Sequence, residues 1–341
     1  MIKDKGVYEW AAHKEVHELL KAKRYNMAMI VNSAINSGLG VRRISNRFFE
    51  ISSEVRRELF SGVMCCRMPA HAQKITAYKH LTSQYLREAG VPTPKGKAFS
   101  GKSKNKALKY YEADSLPKVI KPVVGIHGKD VHLNLKGRES FFEAWGLVEK
   151  TGKDILVEEY LEGRDCRYFV VGDEVVAVSE RRVPSVVGDG VKPIIQLVNE
   201  ENERRSFLGV PSLKKIRLDD SVSFVLREQG YDIESVVPEG VKVFVRRNSN
   251  ISTGAENVDI TGDVHPDLKK LAVRACKAIP GLEYAGVDIL SNDHFSSGSK
   301  SVVIEVNWDP GLTAHAFPSA GEARDVAKNI IDHVFGVDMD C

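Results

Sequence analysis

The chain has 341 residues, 43% of them hydrophobic, with 49 Lys and Arg against 46 Asp and Glu and a formal net charge of +3. This length supports a large core in two or three subdomains, and the balanced charge argues against a dedicated nucleic-acid binder, whose surface is strongly basic. The Met1-Ile-Lys-Asp-Lys5 start shows no secretory leader, and no stretch reaches the roughly 18 apolar residues of a membrane helix. Cys65, Cys66, Cys166, Cys276 and Cys341 form no Cys-x-x-Cys pair, which argues against a disulfide framework or a zinc site. The expectation is a reduced, cytoplasmic protein with no membrane or nucleic-acid partner.

Residues 1 to about 70 mix helical patterns with turns; Met27, Ile30 and Val31 mark one helix face, broken at Asn36-Ser-Gly-Leu-Gly40. The spacing of Ile75, Tyr78, Leu81, Tyr85 and Leu86 predicts one helix over 71–89, stopped by Gly90 and Val-Pro-Thr-Pro. Short apolar runs then predict strands at 118–122, 154–160, 165–171, 174–179, 241–246 and 301–306, and a turn plus strand over 125–131. Helices are expected at 140–150, 268–278 and 324–335. The order gives an α+β fold of antiparallel hairpins with helices, without a regular βαβ alternation.

Four constellations carry chemistry. A strand delivers Lys121, and the turn after it holds Gly125, Gly128 and Lys129; glycine lets backbone amides approach phosphate oxygens, and the lysines supply charge. The run Val157-Glu-Glu-Tyr-Leu-Glu-Gly-Arg-Asp-Cys-Arg167 ends an apolar strand in acids and a turn. Its backbone near Glu159 to Leu161 suits a purine base, and an acid suits ribose hydroxyls. Asp288 lies in an apolar strand, and Glu305 and Asn307 stand two apart in another, so the latter pair shares one face. Buried carboxylates are costly unless paired or metal-bound, and two acids with an amide oxygen suit Mg²⁺. Last, a strand ends in Arg246 before the polar loop containing Ser252, a pattern suited to neutralising a transferring phosphoryl group. Taken alone, the first is compatible with an ordinary turn, the second with a charged surface hairpin, the third with a salt-bridged edge acid and the last with an ordinary polar loop.

In order, the segments Leu-Arg-Glu-Ala-Gly-Val-Pro-Thr-Pro, Val-Ile-Lys-Pro, Val-Glu-Glu-Tyr-Leu-Glu-Gly-Arg-Asp-x-Arg, Arg-x-Asn-Ser-Asn-Ile-Ser-Thr-Gly, Gly-Val-Asp-Ile and Glu-Val-Asn-x-x-Pro-Gly resemble the ATP-grasp ligases. The likeness is to the ATP-grasp region of cyanophycin synthetases and the ligase module of bifunctional glutathione synthetases, from about Lys79 to Phe335. It implies an ATP-grasp fold with the nucleotide held between two subdomains, divided as 1–75 (N-terminal), 76–180 (lid side) and 181–341 (metal side).

The resemblance further implies site roles. Lys79 and Lys121 hold ATP phosphates under a lid from Gly125 to Lys129. Glu158, Glu159, Tyr160 and Leu161 form the adenine hinge, and Asp165 binds ribose. Asp288, Glu305 and Asn307 ligate Mg²⁺, with Mn²⁺ as a substitute. Arg246, Ser252 and either Arg181 or Arg182 face the transferring phosphoryl group, while Arg167 and Arg324 bind substrate carboxylates. The stretch from Arg181 is one residue short of the usual spacing, Asp130 stands where a small residue is common, and Trp308 follows the metal-side Asn307. The implied activity joins a carboxylate to an amine, on amino acids or peptides, through an acyl phosphate. The alternatives are a glutathione-synthetase-like or D-Ala-D-Ala-like dipeptide ligase and a non-catalytic ATP-binding regulator. No second ligase domain follows, so one ligation type is expected; a homodimer is the family expectation.

Overall fold

The computed structural model describes residues 10–125, 130–247 and 249–336, the side chains of Asp220 and Ser221 excepted, and within them the antiparallel α+β reading holds. The chain divides into two units. One contains residues 1–63, 176–262 and 311–341; the other contains 64–175 and 263–310. Among the described residues no helix is long and apolar enough to cross a membrane.

The second unit carries two sheets. Strands Gly96–Phe99, Ile155–Glu159, Lys118–Pro122 and His132–Leu135 lie side by side in that order, all antiparallel. Helices Lys104–Tyr111 and Gly137–Glu149 cover this sheet through Leu108, Tyr111, Phe141, Trp145 and Val148, packed on Ile120, Ile155 and Val157. Three further antiparallel strands run in the order Arg164–Val171, Tyr284–Ser291, Ser301–Asn307. Helix Pro266–Lys277 packs on them; proline at its first turn and the His265 ring, which accepts from the Asp267 amide, fix where it starts.

Two expectations are corrected here. The single helix over 71–89 is two helices, Ala70–Ala77 and Lys79–Glu88, parted by Tyr78 in extended conformation (φ −99°, ψ 96°). The break is held by tertiary bonds: the Lys79 amide donates to the Val123 carbonyl at 3.2 Å, and the Thr82 hydroxyl donates to the Ile75 carbonyl at 2.8 Å. The strand expected within 125–131 begins instead at His132, after Asp130, which sits in the left-handed region at φ 58°. Residues 126–129 of that turn lie outside the described residues.

In the first unit, helices Lys14–Lys21 and Tyr25–Asn36 bury Val16, Leu19, Met27, Ala28 and Val31 against Phe49 of an antiparallel meander, Gly40–Arg43, Phe49–Ser52 and Arg57–Ser61. The meander was not legible as strands, because Arg42, Arg43, Arg57 and Glu58 interrupt its apolar alternation. Helix Val326–Phe335 packs on Tyr25–Asn36. Strand Glu174–Arg182 pairs with Glu256–Asp259 from Ser179 to Arg182. A smaller ladder, Ser185–Val187 with Lys242–Phe244, shares a core of Val186, Ile194, Leu226 and Val243 with helices Ile194–Leu208 and Asp220–Arg227.

Candidate functional site

The antiparallel registers of the second unit set the key side chains in a row. Arg167 faces Asp288 across one strand boundary, and Asp288 faces Glu305 across the next. Cross-strand partners project to the same side of a sheet, so one cation and two carboxylates from three strands meet on one face. Asp288 is 1% exposed, and the Arg167 guanidinium grips it with two parallel bonds, Nε to Oδ1 at 2.7 Å and Nη2 to Oδ2 at 2.8 Å. Such a fork neutralises a carboxylate that burial alone would penalise. Asn307 faces Gly286 across the ladder, and its side-chain amide comes within 3.5 Å of Asp288 Oδ2.

A bulge shapes this face. The register slips between Asp288 and Ile289, leaving Ile304 unpaired between Val303 and Glu305. An extra residue bends the strand and re-aims its side chains. Val303 and Val306 are buried, whereas Ile304, Glu305 and Asn307 remain partly open. Two glycines supply the room: a Cβ at Gly286 would stand 2.9 Å from Pro310 Cβ and 3.2 Å from Arg167 Cδ, and one at Gly96 would stand 2.7 Å from Glu158 Cβ. The lone glycine in the apolar run before Asp288 was the available sequence signal for this close approach; the Ile304 bulge had none.

Each acid of the row has its own cation. Lys79, placed by the helix break at Tyr78, extends Nζ to Glu305 Oε1 at 2.9 Å and to the Gly125 carbonyl at 3.2 Å. Lys121 and Glu158, from adjacent strands and both buried, form a third ion pair. Sequence reasoning had named all of these residues but not their pairing.

The hinge segment is ordered by its own backbone. The Glu159 amide donates to the Lys95 carbonyl at 2.9 Å, the Tyr160 amide donates to the Pro117 carbonyl at 2.9 Å, and Glu159 Oε1 accepts from the Lys95 amide at 3.0 Å. Leu161 and Glu162 line a cavity of about 280 Å³ together with Leu290, Asn292, Lys300 and Val302. Asp165 pairs with Leu290 in the ladder, two residues from Arg167 and hence on its face. Gly128 and Lys129 lie outside the described residues.

The remaining candidates stand in the first unit. Arg246 is 6% exposed; Nη1 donates to the Arg217 carbonyl at 2.6 Å and Nη2 to Asp219 at 3.0 Å, while its buried Nε finds no acceptor among the described residues. Ser252 is exposed, its hydroxyl and amide both bonded to the Asn250 side chain, which caps the turn Ile251–Thr253. Gly254 closes that turn at φ 105°, where a Cβ would come within 2.6 Å of Ile216 Cα. Arg182 Nε donates to Glu180 at 2.9 Å. Arg324 Nη2 donates to Asp259 Oδ2 at 2.9 Å, and that hydrogen bond and charge hold its guanidinium above its ordinary value. These arginines reach backbone carbonyls and acids of their own unit, partners that a linear reading does not disclose.

Comparison with known proteins shows the family and the fold. The family model for the RimK-like ATP-grasp domain matches residues 76–189 and 236–334. Cyanophycin synthetase from Trichormus variabilis is 33% identical over 312 residues, covering 90% of this chain and 34% of that protein. The glutathione biosynthesis bifunctional protein GshAB from Pasteurella multocida is 35% identical over 267 residues, covering 75% of this chain and 35% of that protein. The crystal structure of a bifunctional glutathione synthetase from Pasteurella multocida matches with a TM-score of 0.66 and 30% identity, over 92% of this chain and 44% of that one. The chain thus spans about a third of the length of the curated relatives it matches.

Proposed function

The chain belongs to the RimK-like ATP-grasp family, and from that premise we propose that it is an ATP-dependent carboxylate–amine ligase acting on amino acids or peptides in the cytoplasm. In this reading a substrate carboxylate oxygen attacks the γ-phosphorus of ATP and ADP leaves. The amine then attacks the acyl phosphate, giving an amide, inorganic phosphate and a proton. The observation that carries it is the row Arg167–Asp288–Glu305 on one sheet face, with Asn307 against Asp288 and Lys79 on Glu305.

Two carboxylates and an amide are hard oxygen donors at neighbouring ladder positions, and this set fits Mg²⁺ or Mn²⁺. Asp288, Glu305 and Asn307 would hold the ion, which when bound supplies charge neutralisation to the nucleotide phosphates. Lys79 and Lys121 add positive charge to those phosphates, under the turn from Gly125 through Gly128 and Lys129. Leu161 offers the hinge amide to the adenine, since those of Glu159 and Tyr160 already serve the carbonyls of Lys95 and Pro117. Glu158 orients Lys121, and Asp165 takes the ribose. The lid role thereby falls to segment 76–180 and the metal role to 181–341.

Arg246 and Ser252, with Arg182, stabilise charge on the phosphoryl group; the buried Nε of Arg246, without an acceptor among the described residues, supports that assignment, because native structures rarely leave such a donor unused. Arg324 is kept as a carboxylate-binding residue. Arg167, first read in the same way, is better supported as the residue that orients Asp288.

The test is a matrix of acid and amine pairs with ATP and Mg²⁺, read by phosphate release and product mass. The reading expects ADP, phosphate and a product of acid plus amine less water. The matrix includes glutathione-type and D-Ala-D-Ala-type pairs, the first favoured by the likeness to the Pasteurella enzyme. ATP binding without phosphate release under any pair would establish the non-catalytic regulator instead.

A further inference from the structure

The first unit contains a second cavity, of about 490 Å³, built by the turn between the two N-terminal helices, the meander and the segments around Pro211, Ile251 and Thr313. That volume suits a ligand of several residues. Four cations line it, Lys23, Arg24, Arg47 and Lys214, and among the described residues no acid does. None of the four side chains joins an ion pair or hydrogen bond among the described residues. The nearby Arg43, by contrast, is matched by Glu15 and Glu18. The four are exposed, and unmatched positive charges around one concavity focus a positive potential that attracts an anion.

The backbone adds an independent sign. Lys23 sits at φ 56°, in the left-handed region, in the turn after helix Lys14–Lys21. Glycine is the residue for such a position. A lysine there accepts backbone strain and presents a cation to the cavity, and strain of this kind concentrates at ligand sites.

We propose that this cavity docks an acidic peptide segment of the ligase substrate, through carboxylates held by Lys23, Arg24, Arg47 and Lys214. A peptide fits better than bare phosphate because Tyr25, Met27 and Ile251 give the wall an apolar part. The cavity is tied in sequence to the chemistry: Ile251 directly precedes Ser252, and Thr313 follows Asn307 on the segment leaving the metal-side strand. The inference rests on the ligase reading for the meaning of the bound peptide, but not for its binding.

The experiment uses the full chain without ATP and measures calorimetric binding of acetylated tetraglutamate, its tetraglutamine counterpart and inorganic triphosphate. Tetraglutamate is expected to bind, more tightly at low salt, and the glutamine peptide is not. A triple variant, Lys23→Gly, Arg47→Ala and Lys214→Gln, is expected to weaken tetraglutamate binding by at least about tenfold while ATP binding is retained. The triple variant is expected to keep the wild-type melting temperature, its three side chains being exposed and Lys23→Gly relieving the backbone, which shows that lost binding is not lost folding. No tetraglutamate binding, equal affinity in the triple variant, or tighter triphosphate binding that the triple variant also loses overturns the proposal. Phosphate release from the acid and amine matrix is scored separately. Binding without release sinks the ligase reading and keeps the pocket, whereas release without tetraglutamate binding sinks the pocket and keeps the ligase.

Discussion

At the scale of single residues, the site is a set of charges in balance. Arg167 offsets Asp288, Lys79 offsets Glu305 and Lys121 offsets Glu158. Removing one member of a buried pair leaves the other unsolvated, at about 3 kcal/mol or more. Arg167→Ala is therefore expected to lower unfolding stability by about 3 kcal/mol, with part recovered when Asp288→Asn is added, as a double-mutant cycle in denaturant would read. Additive losses would show that the fork contributes no coupling. Glu305 is more open than Asp288. Glu305→Gln should leave the fold intact and reduce Mg²⁺-dependent phosphate release by at least about tenfold. Near wild-type turnover would remove Glu305 from the metal set.

At the scale of elements, small backbone departures aim the side chains. The break at Tyr78 puts Lys79 at the head of a helix whose first amide is tied to Val123. The Ile304 bulge opens Glu305 and Asn307. Gly96 lets its strand approach Glu158, so Gly96→Ala forces a Cβ into a space of 2.7 Å. Overpacking of this kind costs about 1–3 kcal/mol. The variant should melt lower and need more ATP for half-maximal phosphate release, because Glu158 no longer holds Lys121 in place. An unchanged melting curve would mean that the strand shifts without strain. The regular elements were legible because their apolar periodicity is strong, as in 118–122, 165–171 and 268–278. The break, the bulge and the charged meander were not, since each follows from bonds to residues distant in sequence.

At the scale of the molecule, each unit is assembled from separated stretches of chain: three in one and two in the other. Binding a ligand to the folded form alone adds stability by mass action, about 2.7 kcal/mol at a hundredfold excess over Kd. ATP with Mg²⁺ is thus expected to raise the melting temperature of the wild type more than ATP with a chelator does. Glu305→Gln should erase that difference while keeping the response to ATP itself. An equal difference in the variant would place the metal-dependent stabilisation elsewhere.

The sequence by itself determined the family, the α+β class and the identity of the acids, lysines and asparagine that the second unit brings together. Those follow from residue types at fixed spacing along strands, and strand alternation is a local property. Tertiary structure alone decided the partners: that Arg167 clamps Asp288 rather than standing open, that Arg246 and Arg324 turn onto Asp219 and Asp259, and that four unmatched cations converge on one cavity. Charge pairing depends on distance through space, and residues up to 226 positions apart, as Lys79 and Glu305 are, become neighbours only when the strands register.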